Sequence, residues 1–257
     1  MCQRVPAGRV RGFNLLPMFP TIQENFTILL RAGAFGITDE PLKPMSSFKW
    51  NKLVATAKKL GIHGYIVAGA QQLKDDPLLP PDINIPTPKE KFEYPETALY
   101  GFLSARRYRK ISEQEKHNID CSMETLNFLH LLVANIDLII TRDMSLSGII
   151  AVGEYLRTKG NRVDFVKLNQ WIHRLGIAQA ASFIGHMLIE LFDFETEELE
   201  FMTRTYKKPL IHYERLLDNA FNPQHKFRRA SRLNLAFIET SSYHLLNFKT
   251  RITDIEE

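Results

Sequence analysis

Basic residues gather twice in this chain, at Arg106, Arg107, Tyr108, Arg109 and Lys110 and again at Lys226, Arg228, Arg229 and Arg232. Cations interleaved with an aromatic ring can follow a phosphate backbone, the charges meeting phosphates and the ring a base. Arg106, Arg107, Arg109, Lys110, Arg228 and Arg229 are therefore the candidate phosphate or nucleic-acid contacts. The competing account is a solvated helix face whose charges complement the negative end of the helix dipole. Asp193 and Glu195 are the acidic candidates, at the alternate spacing with which paired carboxylates hold catalytic metal ions. No Gly-Ser turn precedes them, and an acidic helix start at Thr196, Glu197 and Glu198 explains the same residues.

Other chemistries find less support. His117, Cys121 and His130 are the best zinc grouping, the first two one helical turn apart, but a fourth ligand is missing. A polar histidine and a small buried cysteine in a helical core account for them. Gly33, Phe35 and Gly36 are too sparse for a phosphate-cradling loop, and no lysine with a following hydroxyl completes one. The eight histidines are scattered and no Gly-x-Ser-x-Gly elbow occurs. No histidine follows an arginine at the short interval used by a family of helical ribonucleases. We expect no metal site and no cofactor.

The elements that would position these residues are helices. At 257 residues with 44% hydrophobic and 24% charged content, the chain can bury a substantial core. A net charge of +4 is too mild to name a partner. Two cysteines, Cys2 and Cys121, are too few for a disulfide framework, so a reducing, cytoplasmic setting is expected. The apolar stretch Thr125 to Ile140 is broken by Asn127, His130, Asn135 and Asp137, and no membrane span is expected.

Helical spacing predicts helices over Phe26 to Phe35, residues 46–60 with Ser46 or Ser47 as cap, and His63 to Leu73. Pro77, Pro80, Pro81, Pro86 and Pro88 crowd one stretch and exclude helix there, since proline holds itself and its predecessor extended. Beyond it, Pro95 with Glu96 suits a first helical turn, with Ala98, Leu99, Phe102 and Leu103 as its buried face. Ser112 and Glu115 have capping-box spacing, and residues 125–140 are apolar nearly all round, marking a central helix. Residues 145–158 carry an apolar stripe closed by Arg157, Lys159 and Gly160. Over 164–175, Asp164 is the cap, Val163 and Leu168 form a hydrophobic staple, and Gly176 ends the helix. Ile177 to Leu191 is its antiparallel partner, and Thr196 with Glu197 and Glu198 can open another helix near Leu199 to Thr205.

The fold class is all-α, a multi-helix bundle with a proline-rich connector and little or no β-sheet. Its expected organisation is a flexible N-terminal segment (1–20), an N-terminal helical section (21–75), a proline-rich linker (76–94), a main helical bundle (95–222) and a basic C-terminal segment (223–257). Residues 1–17, with Arg4, Pro6, Gly8, Arg9, Arg11 and Gly12, show neither an apolar stripe nor a helix start. Asn14 and Pro17 interrupt what a signal peptide would keep apolar, and Met18 is an alternative translation start.

Read together, Leu29-Leu30-Arg31-Ala32-Gly33-Ala34-Phe35-Gly36, Trp50 through Ala57, Gly64 and Pro80-Pro81 resemble an uncharacterised nucleotidyltransferase-like family of Bacteroidetes. The later strings Ser122-Met123-Glu124-Thr125-Leu126, Tyr155-Leu156-Arg157, Val163 through Leu168, Trp171 and Gly176 resemble its helical portion. The resemblance implies nucleotidyl transfer on a small strand-based palm with a Gly-Ser turn and an Asp-x-Asp pair. Residues 87–121, between the matched sections, show neither strand pattern nor Asp-x-Asp, so the catalytic core is expected to be missing. The first expectation is a non-catalytic helical protein that binds a macromolecular partner, a protein foremost and nucleic acid as an alternative. The rival expectation is a divergent, metal-using nucleotidyltransferase.

Overall fold

The computed structural model describes residues 20–84, 87–93, 99, 102–115, 122–141, 144–205 and 209–222. Among them the fold is all-α, with no strand. The helices are α1 (Thr21–Phe35), α2 (Ser47–Lys59), α3 (His63–Gln72), α4 (Phe102–Glu115), α5 (Ser122–Thr141), α6 (Leu146–Lys159), α7 (Phe165–Leu175), α8 (Ala178–Phe192) and α9 (Leu210–Phe221). No helix of the described residues is long and apolar enough to cross a membrane.

α7 follows its local code most closely. The Asp164 carboxylate accepts the Lys167 N–H at 2.9 Å, and Gly176 takes the left-handed conformation (φ 76°) that closes the helix. Both staple positions are buried, Leu168 fully and Val163 nearly so. Such a cap stabilises by about 1 kcal/mol, because it satisfies a backbone donor with no partner inside the helix. α6 is capped in the same way by Ser145, whose hydroxyl accepts the Gly148 N–H at 3.2 Å. α5 is the central helix: Phe128, Leu129, Leu132, Val133 and Ile136 are all fully buried, and α4, α6, α7 and α8 pack around it.

α1 lies closest to α3, and it also packs on α8, while α2 packs on α9. One face of α1 carries buried polar residues at Gln23, Thr27 and Arg31. Gln23 donates to Asp218 at 2.7 Å, Thr27 and Tyr213 share a hydrogen bond of 2.8 Å, and Arg31 donates to Asp193 at 2.7 Å. This polar seam ties the first helix to α9 and to the end of α8. Asn25, also buried, grips the Lys43 backbone through both its N–H and its carbonyl.

Four expectations are corrected. Ser112 and Glu115 do not begin a helix. They lie in the last turn of α4, where the Ser112 hydroxyl donates to the Tyr108 carbonyl, because buried Ser104, Tyr108 and Ile111 carry one stripe straight through. The proline stretch does contain a 3-10 turn, Pro81–Asn84, which proline tolerates at a first position and which buries Ile83. Residues 199–205 form no helix: after the 3-10 turn Thr196–Glu198 the chain buries both Leu199 and Phe201, a period of two that a helix cannot satisfy. α1 begins at Thr21, before Phe26, because its early buried positions are polar. α9 had no counterpart in the sequence reading, and its stripe of Tyr213, Leu216, Leu217 and Phe221 includes the buried His212. The helix start at Pro95 and Glu96, the segment before Pro20 and the segment after Asn222 lie outside the described residues.

Candidate functional site

The first basic cluster falls on α4, and the helix sorts it by face. Ser104, Tyr108 and Ile111 are buried against the bundle, whereas Arg106, Arg107, Arg109 and Lys110 are exposed. At roughly 100° per residue, the four cations span an arc of roughly 160° opposite the buried stripe. Tyr108, the interleaved aromatic, is therefore not a base-stacking ring: its ring meets His130 edge-on at 5.5 Å inside the bundle.

α7 completes this surface. Arg107 Nη1 donates to the Arg174 carbonyl at 3.0 Å, and Lys167 Nζ pairs with Glu115 at 2.5 Å. Moving up α4 thus means moving down α7, so the two helices run antiparallel. The last turn of α7 brings exposed His173 and Arg174 to the side of Arg107. Arg107 also satisfies one of the carbonyls that a helix end leaves without an intrahelical partner. Among the described residues no ion pair engages Arg106, Arg107, Arg109, Lys110 or Arg174. Arg174 was missed in the sequence, and only the α4–α7 packing reveals it.

The acidic pair is engaged in structure. Asp193 ends α8 in a left-handed conformation (φ 51°) and its carboxylate receives the buried Arg31 guanidinium, which also reaches Asp39 at 3.4 Å. Glu40 nearby is held above the usual carboxylate range, chiefly by burial, with Arg31 pulling it back. Glu195 is the cap of the Thr196–Glu198 turn, in a reciprocal box with Glu198 whose carboxylate accepts the Glu195 N–H at 2.9 Å. Arg31 was the signal for this arrangement: an arginine inside the run Ile28-Leu29-Leu30-Arg31-Ala32 needs a buried partner.

His130 Nε2 lies 3.2 Å from the Ser112 hydroxyl. His117, Cys121, Lys226, Arg228, Arg229 and Arg232 lie outside the described residues. Among the described residues, no three His, Cys, Asp or Glu side chains are grouped to hold a metal ion. Comparison of the chain with protein-family models, with curated proteins and with solved structures returned no match.

Proposed function

We propose that this chain is a non-catalytic helical protein, akin to the helical portion of the nucleotidyltransferase-like proteins, that works in the cytoplasm and binds a nucleic acid. The observation that carries the reading is the α4–α7 face: exposed Arg106, Arg107, Arg109 and Lys110, with Arg174 beside them, free of ion pairs among the described residues. Cations paired with carboxylates gain little from a phosphate, because one partner must be lost to gain the other. Unpaired cations on one face release the counterions of a phosphate chain when they meet it. The engagement of Asp193 by Arg31 and of Glu195 in its turn supports binding over metal-dependent transfer.

The test is fluorescence anisotropy with labelled single-stranded RNA and duplex DNA across a salt series. About four phosphate contacts give a slope of about −3 in log K against log salt on a single strand. Neutral replacements at Arg106, Arg107 and Arg109 should flatten that slope by about two units, with circular dichroism unchanged because all three are exposed. Binding that ignores these replacements would refute the reading. Nucleotide transfer abolished by Asp193→Asn or Glu195→Gln in a stably folded protein would restore the enzymatic one.

A further inference from the structure

A groove of about 550 Å³ opens along α6. Its volume falls in the range of small-molecule sites. Its apolar lining comes from Phe35 at the end of α1, Phe92 of the 87–93 segment, Leu131 of α5 and Ala151 of α6. Its charged lining comes from α6, with Glu154, Arg157 and Lys159. Glu154 and Arg157 stand one turn apart, so their Cβ atoms are about 5–6 Å from each other.

Glu154 is half-buried, and the Tyr65 side chain lies near it. Burial holds its carboxyl above the usual range, and Lys89 offsets this only in part. Among the described residues no cation lies within ion-pair distance of Glu154. The Arg157 guanidinium stacks over Phe194 at 4.0 Å and Phe35 at 4.8 Å, and it pairs with Glu198 at 3.5 Å. Lys159 reaches Glu124 at 3.3 Å. Both are exposed ion pairs of the kind that contribute little and exchange readily.

A ligand with a single charge meets a penalty here. A simple amine would approach two cations, and a simple acid would approach a poorly solvated carboxylate. A molecule that carries both charges as substituents of one carbon, with an apolar body, meets neither. We propose that the groove binds a free α-amino acid with an aromatic or large apolar side chain. Its ammonium lies on Glu154, its carboxylate on Arg157 with Lys159 beyond, and its side chain against Phe35, Phe92 and Leu131.

The probe is L-phenylalanine, titrated into the full chain and followed by calorimetry and by the Ala151 methyl resonance. N-acetyl-L-phenylalanine removes the ammonium and phenethylamine removes the carboxylate. L-phenylalanine should saturate, and each analogue should bind about tenfold more weakly or worse, since it leaves one charged group of the groove unmatched. Glu154→Gln keeps the shape and removes the charge. It should weaken L-phenylalanine by about tenfold and leave N-acetyl-L-phenylalanine unchanged. Equal binding of the amino acid and its N-acetyl form, no saturable response at millimolar L-phenylalanine, or an indifferent Glu154→Gln would each overturn the proposal. Nucleic-acid binding by the α4–α7 face is independent of all three outcomes.

Discussion

Replacing Gly33 by alanine should damage the fold far more than one methyl group suggests. A Cβ at that position would stand 1.7 Å from the Tyr65 carbonyl oxygen and 2.7 Å from the Gly69 nitrogen, both backbone atoms of α3. No rotamer relieves such a clash, so the two helices must part. Opening the contact from 1.7 Å to the 3.0 Å below which real Cβ contacts essentially never fall is a shift of about 1.3 Å. That shift loosens Leu29, Leu30, Ile66 and Ala70, which are fully buried or nearly so around the crossing. Overpacking of a tight core costs about 1–3 kcal/mol and more where backbone must move, while the alanine regains about 0.4–1 kcal/mol by stiffening the unfolded chain. Because the clash is with backbone, the upper end of that cost applies, and a net loss of about 2–3 kcal/mol follows, which in a chain of this length lowers Tm by roughly 4–12 °C. Gly69→Ala meets the Leu29 carbonyl at 2.0 Å and should behave alike. The double variant should fall short of the sum, because the first methyl already opens the seam. Gly160→Ala is the control: its φ is −56° and nothing lies within 4 Å, so it should be neutral or stabilising by up to about 1 kcal/mol. Thermal unfolding followed by circular dichroism reads all four. A Gly33→Ala protein that melts with the wild type, or shifts only as Gly160→Ala does, would refute the close-crossing argument.

Leu168→Ala should destabilise by about 2–5 kcal/mol in denaturant titration, since the fully buried side chain leaves a cavity beneath α7; a loss under about 1 kcal/mol would mean that the site collapses around the gap. His212 is pushed down to about 4, mainly by burial and further by Arg215. Its unfolded form takes up protons first, so stability is intact above the ordinary value of 6.5 and is lost as pH falls from there towards about 4. Between neutral pH and about pH 5 this group should remove about 1–3 kcal/mol, and His212→Gln should melt with a flatter pH dependence. An unchanged pH profile in that variant would show that the imidazole is hydrated in the folded protein.

What could be read in advance was what the local chain decides. Asp164, the Val163 and Leu168 staple and Gly176 fix both ends of α7 within a few neighbours, and each device appears in place. The apolar run of α5 likewise needs no partner to declare itself. The cap-like pair Ser112 and Glu115 misled because a capping box and two outward polar residues late in a helix have the same spacing. Only the stripe of Ser104, Tyr108 and Ile111 upstream separates the two. For the candidate site, the composition of the α4 face was legible and its sorting was not. Tyr108 counted as a stacking ring until the fold turned it inward, and Arg174 joined through a neighbour far along the chain.

The polar seam shows why the remainder was hidden. Gln23, Thr27 and Arg31 recur every four residues, a helical period as regular as any apolar stripe, yet a polar residue is by default a surface residue. Their burial is tolerable only because Asp218, Tyr213 and Asp193 arrive from α9 and the end of α8 to complete each hydrogen bond. Two of those partners lie on α9, a helix that the apolar pattern did not reveal, and the third, Asp193, had been one half of a candidate metal pair. Desolvating an unpaired guanidinium costs more than the fold can spare, so the carboxylate beside Arg31 is a structural requirement. The same reasoning separates the charged residues of this chain: those the core demands, such as Asp193, hold helices together, whereas Arg106, Arg107, Arg109 and Lys110 on α4 stay exposed and outside any ion pair among the described residues.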